Sequence, residues 1–222
     1  MTSTSIPAST ETLDDKLNRI LEAQSQAVSR PFAVADPREN MPNQRFRSFP
    51  PRALQFVQSD RWSGEPAEKA LHLVPFILQD GILCLHGDRG TGKTCMATWW
   101  ALKKGRGMYV KAMDLYDLIR QTMFSKAGRY DERDTRKLIQ HYRDADYLVI
   151  DECHEAAGSD FEQRTLVNLI DWRYDAMKPT VLIGNLTEES LIATLGPSIT
   201  RRINETGGFV GCNWSPYHVQ PS

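Results

Sequence analysis

From residue 82 onward, short apolar runs alternate with longer amphipathic segments. Each run is bounded by glycine or by polar residues, which is typical of a buried strand. The predicted strands comprise residues 82–85, 108–110, 147–152, 180–185 and 209–212. Helices are predicted from the end of the first loop to about 104, twice within 112–142, at 161–174, and as a short helix that begins at 195. Strands and helices in this alternation predict an α/β domain.

The region before the first strand predicts only short helices. One is expected around residues 53–60, and a second is expected to begin near Pro66. Proline cannot donate a backbone hydrogen bond and clashes with the preceding helical turn. We therefore expect Pro75 to break the second helix before the chain enters the first strand.

Residues 1–50 differ in character from the rest of the chain. Residues 12–28 carry apolar side chains at helical spacing, among them Leu13, Leu17, Ile20 and Leu21. Pro31 ends this predicted helix, and the five prolines within 30–51 predict an extended linker that is not packed. The apolar stripe of the helix has two interpretations, because it could pack on the protein's own core or dock on a partner.

The composition is that of an ordinary globular protein, with 41% hydrophobic and 25% charged residues in a chain of 222. Its formal net charge of −1 predicts no large global field, so a polyanion would have to bind a local patch. There is no apolar run of roughly 18 residues, and the N-terminus does not resemble a secretion signal. The four cysteines are widely spaced, which argues against zinc and against a disulfide framework. We expect a cytoplasmic protein that does not contact the membrane.

A glycine-rich loop follows the first predicted strand, and its residues 87–94 have the spacing G-x-x-x-x-G-K-T. Glycines allow backbone N–H groups to face inward, where they form an anion site together with the start of the next helix. Lys93 adds a positive charge for the β- and γ-phosphates, and the Thr94 hydroxyl can bind Mg²⁺. The predicted ATP-binding residues are Gly87, Asp88, Arg89, Gly90, Thr91, Gly92, Lys93, Thr94 and Cys95.

The strand at 147–152 ends in two carboxylates, Asp151 and Glu152. Such a strand carries Asp151 to the Mg²⁺ bound at Thr94, and Glu152 can polarise a water for in-line attack on the γ-phosphate. Asn185 ends the next predicted strand and would orient the attacking water, with a simple turn asparagine as the alternative. These residues predict hydrolysis of ATP to ADP and phosphate.

Two groups of basic residues suggest contacts with other molecules. Residues 101–143 contain eleven lysines and arginines against five acidic residues. The group forms either a solvated face or a patch for nucleic-acid phosphates, in which Lys111, Arg120 and Lys126 are the candidates. Arg201 and Arg202 lie on the helix that begins at 195. They are either solvated or include an arginine finger for the nucleotide of a neighbouring subunit.

These motifs, in this order, resemble AAA+ ATPases of the DnaC/IstB group, and within it the bacterial replicative helicase loaders. The resemblance covers roughly residues 50–217 and rests on five features. They are residues 87–94, residues 148–152, Asn185, Leu195-Gly196 with Arg202, and residues 213–217. The last of these is similar to the short C-terminal strand and aromatic tail of the loaders.

The resemblance implies a P-loop NTPase of AAA+ type, with three αβα layers, a five-stranded parallel sheet and no full C-terminal lid. Residues 51–222 would form the ATPase domain, and residues 1–50 would form an extension that contacts the partner. Self-association is also implied, with an arginine finger in trans whose position Arg202 matches better than Arg201. The implied partners are a hexameric replicative helicase and single-stranded DNA, which the basic helices after the second strand would bind.

Two other functions remain open. An IstB-like transposition helper would bind duplex DNA and a transposase, whereas a nucleotide-gated adaptor would bind ATP and scarcely hydrolyse it. The N-terminal region has no sequence match to the loaders, so the choice of partner depends on experiment.

Overall fold

The computed structural model describes residues 46–78, 81–123, 132–156 and 160–216. The predicted helix at 12–28, most of the predicted linker, Lys126 and Tyr217 lie outside these residues. The helices are α1 (Pro51–Val57), α2 (Glu65–Leu78), α3 (Lys93–Lys104), α4 (Ala112–Met123), α5 (Glu132–Asp144), α6 (Asp160–Asp175) and α7 (Glu188–Thr206). The strands are β1 (Ile82–His86), β2 (Met108–Lys111), β3 (Leu148–Asp151), β4 (Thr180–Ile183) and β5 (Gly208–Gly211).

The strands form a five-stranded sheet in the order β2-β3-β4-β1-β5, and each neighbouring pair is parallel. This confirms the predicted α/β fold. Because parallel strands all end at the same edge of a sheet, the residues that follow β1, β3 and β4 are neighbours in space. The glycine-rich loop, the two carboxylates and Asn185 therefore share the carboxyl edge of the sheet.

Helices cover both faces of the sheet. One buried cluster includes Cys84 and Ile150 and packs against residues of α4, α6 and α7. The other includes Leu85, Val149 and Trp100 and packs against residues of α2 and α3. Every residue of β1, β3 and β4 is buried, which explains their continuous apolar sequences. Among the described residues, no helix is both long enough and apolar enough to span a bilayer.

The segment before β1 is more ordered and better packed than the sequence predicts. Helix α2 continues to Leu78, so the prediction that Pro75 breaks it is wrong. A proline within a helix removes one backbone hydrogen bond, and the helix continues past it for three residues. The linker is also not extended throughout, because Phe46 and Phe49 are buried in the second cluster.

Helix α7 consists of two helical segments, of which the sequence predicts only the second. The first begins at Glu188, and the Thr187 hydroxyl caps it by accepting a hydrogen bond from Ser190 N–H. At Gly196 the backbone is not helical, with φ 77° and ψ 171°, and Pro197 follows directly. The glycine therefore forms a kink between two helical segments, which the sequence alone presents as the start of a new helix.

Arg173 on α6 is fully buried and connects three elements. Its Nη1 donates to the carbonyls of Tyr142, Arg143 and Ala145 at 2.8–2.9 Å. Its Nη2 donates to Pro179 O at 2.7 Å. These carbonyls belong to the end of α5 and to the residues just before β3 and β4. Burial lowers the pKa of Arg173 to about 9, and the carbonyl oxygens supply the partners that a buried cation needs.

Candidate active site

The loop between β1 and α3 has the backbone geometry of a phosphate cradle. Gly87, Gly90 and Gly92 all have positive φ angles, of 115°, 82° and 88°. Residues other than glycine rarely adopt backbone conformations with positive φ. Gly92 is also the residue that precedes the first turn of α3, and no side chain caps that turn. The positive end of the α3 dipole therefore faces the loop without a competing side chain.

Lys93 is buried within the loop, where its side chain follows the loop backbone. Its Nζ donates to Gly87 O at 2.8 Å and to Asp88 O at 2.6 Å. A third contact, to Thr91 Oγ1, is 3.4 Å long. Burial lowers the pKa of Lys93 from its usual value. The ammonium is thus held at the centre of the loop, close to the backbone groups that would surround a phosphate.

Thr94 and Asp151 meet across the carboxyl edge, as the sequence predicts for a metal site. Thr94 Oγ1 donates to Asp151 Oδ2 at 2.8 Å. The same carboxylate oxygen accepts a second hydrogen bond, from Tyr109 Oη at 2.9 Å. Burial and the charge of Asp151 raise the pKa of Tyr109, so its hydroxyl keeps the proton that it donates. Tyr109 was not a predicted site residue, because no local motif relates it to Asp151, which is 42 residues away.

Glu152 is oriented differently from Asp151. It has a φ of 55°, a left-handed conformation that is uncommon for a non-glycine residue and is found at functional sites. Its Oε2 lies 2.9 Å from Lys111 Nζ at the end of β2. This hydrogen bond raises the pKa of Lys111. The predicted base is thus paired with a predicted DNA-binding lysine, a contact that connects two functions that the sequence treats separately.

Asn185 lies two residues after the end of β4, the strand between β1 and β3 in the sheet. Its backbone N–H donates to His154 Nδ1 at 3.4 Å. The next residue, Leu186, accepts a hydrogen bond from Gly87 N–H at 3.1 Å through its carbonyl. The segment that carries Asn185 is therefore fixed between the glycine-rich loop and the acidic strand, where the sequence predicted it.

The two arginines of α7 have different surroundings. Arg202 is only 13% exposed, and its Nη2 lies 3.0 Å from Asp171 Oδ1. Its Nη1 donates to the backbone and side-chain oxygens of Ser198, and its guanidinium lies 5.4 Å from the Tyr174 ring centroid. The Arg201 side chain is 66% exposed, with a loose contact of 3.8 Å to Glu205.

Arg120, a second predicted DNA-binding residue, also forms an ion pair. Its Nη2 lies 2.6 Å from Oε1 of Glu162, whose side chain is only 7% exposed. A buried carboxylate needs such a partner, so Arg120 has a structural role between α4 and α6. Lys111 and Arg120 are therefore both engaged within the chain.

Comparison with known proteins places this site in a family. Residues 83–206, more than half of the chain, match the model of the ATPase family associated with various cellular activities (AAA). The matched region includes most of β1, the glycine-rich loop, both carboxylates, Asn185 and the two arginines of α7.

The fold is shared with several solved structures, among them a helicase loader and a replication initiator. The DnaC helicase loader is 23% identical, with a TM-score of 0.54 over 67% of this chain and 91% of that chain. The replication initiator DnaA bound to AMPPCP and single-stranded DNA is 20% identical, with a TM-score of 0.56 over 73% of this chain and 50% of that chain. At these identities the similarity demonstrates the fold alone.

The Escherichia coli (strain K12) protein YdaV, whose function is uncharacterized, is 29% identical over 143 residues. The match covers 61% of this chain and 55% of YdaV, so the chain spans about half of the length of this relative. Family match, sheet order and site geometry agree: the chain belongs to the AAA family of nucleotide-binding ATPases and has the fold of the DnaC and DnaA ATPase domains.

Proposed function

We propose that the protein is an ATPase that binds ATP and Mg²⁺ at residues 87–94 and hydrolyses ATP to ADP and phosphate. The observation that carries this proposal is the 2.8 Å hydrogen bond from Thr94 Oγ1 to Asp151 Oδ2. It joins side chains that follow β1 and β3, two strands that β4 separates. A hydroxyl and a carboxylate are hard oxygen ligands of the kind that Mg²⁺ prefers, so these residues fit the ion.

Binding relies on groups that the fold already brings together. The backbone N–H groups of the glycine-rich loop and of the first turn of α3 bind the phosphate oxygens. Lys93 contributes the positive charge, and Thr94 and Asp151 would hold the Mg²⁺. When bound, Mg²⁺ would neutralise negative charge on the β- and γ-phosphates. Tyr109 keeps the Asp151 carboxylate in place by its 2.9 Å hydrogen bond.

Hydrolysis depends on Glu152 as the general base. The water oxygen forms a bond to the γ-phosphorus while the bond from that phosphorus to the bridging oxygen of ADP breaks. The water's proton passes to the Glu152 carboxylate, and the bridging oxygen leaves with ADP. Asn185 orients the water. Lys111 Nζ lies 2.9 Å from Glu152 Oε2, so the proton passes to Oε1, or to Oε2 once this ion pair has opened.

An arginine from a neighbouring subunit completes the proposed site. Arg202 is the first candidate because it stands at the position that the family resemblance assigns to the finger. Its contacts with Asp171 and Ser198 would have to be exchanged for contacts with phosphate. Arg201 is the second candidate, because its side chain is more exposed. Either way, the active form is an assembly of several copies of the chain.

We further propose that the ATPase loads a hexameric replicative helicase onto single-stranded DNA. The support is the fold shared with the DnaC helicase loader over 91% of that protein. In this proposal residues 51–222 form the ATPase domain, and residues 1–50 form an extension whose helix, predicted at 12–28, contacts the helicase. The DNA would contact the basic helices after β2 and Lys111 at the end of that strand, with Lys126 as a further candidate. Lys111 would have to exchange its contact with Glu152 for a phosphate.

The helicase contact can be tested with the full chain. The double substitution Leu17→Asp with Ile20→Asp places charges on the predicted apolar stripe, and Lys16→Ala changes a neighbouring polar position as a control. We expect the first variant to lose co-purification with a hexameric replicative helicase while it still binds Mg-ATP, and the control to retain both. Equal capture by the parent and both variants would contradict the proposed docking helix.

The DNA partner distinguishes the loader from the transposition helper. Fluorescence anisotropy with single-stranded and duplex oligonucleotides of equal length, over a series of salt concentrations, gives both affinities. A loader is expected to prefer the single strand, and Lys126→Ala is expected to reduce the salt slope by about one. Preference for the duplex would favour the IstB-like alternative.

The adaptor alternative receives support from one contact, the ion pair between Lys111 and Glu152. It favours slow hydrolysis until another molecule releases the carboxylate. A purified protein that binds Mg-ATP, yet shows no turnover with helicase and single-stranded DNA present, would identify a nucleotide-gated adaptor instead of an ATPase.

A further inference from the structure

The segment that follows β5 leaves the sheet beside the glycine-rich loop. In the register of β1 and β5, Gly211 is opposite His86. Cys212 N–H then donates to His86 O at 2.8 Å, which continues the pairing by one residue. Residues 212–216 are here called the closing segment. Since His86 is the last residue before the loop, the closing segment begins beside the first residue of the loop.

Gly87 shows how closely the closing segment approaches the loop. A Cβ atom at Gly87 would lie 2.7 Å from the Cys212 carbonyl oxygen and 3.0 Å from Asn213 Oδ1. Real Cβ atoms do not come this close to a backbone oxygen. The first glycine of the motif is therefore needed for its φ of 115° and also to admit the closing segment.

Trp214 makes the second contact between the two segments. Its indole Nε1–H donates to Thr91 O, in the middle of the loop, at 2.6 Å. The ring is partly buried and packs against the cluster that contains Leu85 and Val149. An indole N–H in such a position needs an acceptor, and the loop backbone provides it.

This hydrogen bond fixes the orientation of one peptide plane. In a trans peptide the carbonyl and the following N–H point in opposite directions. Trp214 holds the Thr91 carbonyl, so the N–H of Gly92 is directed away from the indole. Gly92 has φ 88° and ψ 13°, and a glycine at this bond would otherwise allow the plane to flip. The Gly92 N–H directly precedes Lys93 and α3, where the phosphates are proposed to bind.

We propose that Trp214 is a positioning residue for the phosphate-binding loop. By holding the Thr91 carbonyl, it keeps the Gly92 N–H directed at the nucleotide phosphates. Trp214 itself touches neither the nucleotide nor the reacting atoms. The inference deepens the proposed function and rests on it, because it has meaning only if residues 87–94 bind a nucleotide.

The test compares Trp214→Phe with Trp99→Phe in the full chain. Phenylalanine keeps an aromatic ring and removes the N–H, so the variant retains most of the packing. Trp99 is a suitable control because it is also partly buried against the same cluster, with Lys103 over its ring at 5.0 Å. Calorimetry gives the Kd for Mg-ATP, steady-state assays give kcat and KM, and differential scanning fluorimetry gives the Tm without nucleotide.

We expect Trp214→Phe to raise the Kd and KM for Mg-ATP by about two- to tenfold, the range for one hydrogen bond. The kcat at saturating ATP and the Tm without nucleotide should match those of Trp99→Phe. Addition of Mg-ATP should change the tryptophan emission of the parent and of Trp99→Phe, and this change should be lost in Trp214→Phe.

The failure of each proposal has its own signature. If the parent binds no Mg-ATP, nucleotide binding at residues 87–94 is wrong. If the parent binds Mg-ATP and Trp214→Phe binds it equally well, only the role of Trp214 is wrong. A Tm loss in Trp214→Phe that exceeds the control's, with an unchanged Kd, would likewise show that the indole serves stability alone.

Discussion

The residues proposed to bind the nucleotide and those proposed to hydrolyse it differ in how they are held. In the binding group, Thr94 and Asp151 are hydrogen-bonded to each other, and Lys93 is bonded to the loop that it serves. In the hydrolytic group, Glu152 is paired with Lys111, and Arg202 lies against Asp171 within its own subunit. The contacts of the first group join residues of the proposed nucleotide site to one another, whereas the second group is paired with residues that are not proposed to bind the nucleotide.

This difference indicates where regulation would act. Groups that are already in place add affinity without rearrangement. Groups that must exchange partners respond to anything that offers a better partner, such as a neighbouring subunit or a DNA phosphate. A single copy of the chain is therefore expected to bind ATP well and to hydrolyse it slowly. Four substitutions test this comparison.

Removal of the loop lysine should have the broadest effect, because a protein that does not bind the nucleotide cannot hydrolyse it either. Lys93→Ala deletes the charge at the centre of the binding group, and we expect the affinity for Mg-ATP to fall on the order of 100-fold or more. Lys104→Ala, at the end of the same helix, is the matched control. Calorimetry should show binding heat for the control and none for Lys93→Ala at micromolar protein. Normal binding of Mg-ATP by Lys93→Ala would contradict the proposed role of Lys93 in nucleotide binding.

Loss of the arginine finger should reduce turnover without loss of binding. Arg202→Ala is expected to lower kcat by roughly 10³–10⁵-fold, while Arg201→Ala changes it little. A mixture of Arg202→Ala with Lys93→Ala subunits should regain part of the activity, since each supplies what the other lacks. If Arg201→Ala gives the large effect instead, the exposed arginine is the finger.

Removal of the general base Glu152 should also reduce turnover without loss of binding, by a smaller factor. Glu152→Gln is expected to lower kcat by about 10²–10⁴-fold, the usual contribution of a general base, with an unchanged Kd for Mg-ATP. Glu155→Gln, three residues further on, is the control. Should turnover survive in Glu152→Gln, another group takes the proton from water.

Release of the base should have the smallest effect. Lys111→Met removes the partner of Glu152, and we expect kcat without DNA to rise by about two- to fivefold, as for a half-exposed ion pair. Arg106→Met breaks a surface pair with Asp146 and serves as the control. A fall in kcat would mean that the ion pair with Lys111 assists Glu152 as the base instead of hindering it.

The sequence predicts the parts of the site that lie within contiguous motifs. Residues 87–94, Asp151 and Asn185 could be placed because each follows an apolar strand, and parallel strands end at a common edge. Contacts between distant segments carry no local signal. The sequence therefore predicts neither the Tyr109 hydrogen bond to Asp151 nor that of Trp214 to Thr91.

Local rules also fail where packing overrides them. Pro75 lies within helix α2, although proline is a common helix breaker, whereas the helix does break at Gly196. Whether a proline ends a helix therefore depends on the tertiary context as well as on the residue itself. In the same way Arg120 has the sequence context of a solvated or DNA-binding residue, and only the fold shows the buried carboxylate opposite it.

The buried guanidinium of Arg173 has a mechanical consequence. Its hydrogen bonds tie the end of α5 to the residues that lead into β3 and β4, at the amino edge of the sheet. That edge is opposite to the one where ATP is proposed to bind. The amino edge of the sheet is thus held together by Arg173, whereas the carboxyl edge carries the proposed nucleotide site. Rearrangements that accompany nucleotide turnover are expected to start at the carboxyl edge, while the amino edge keeps its arrangement.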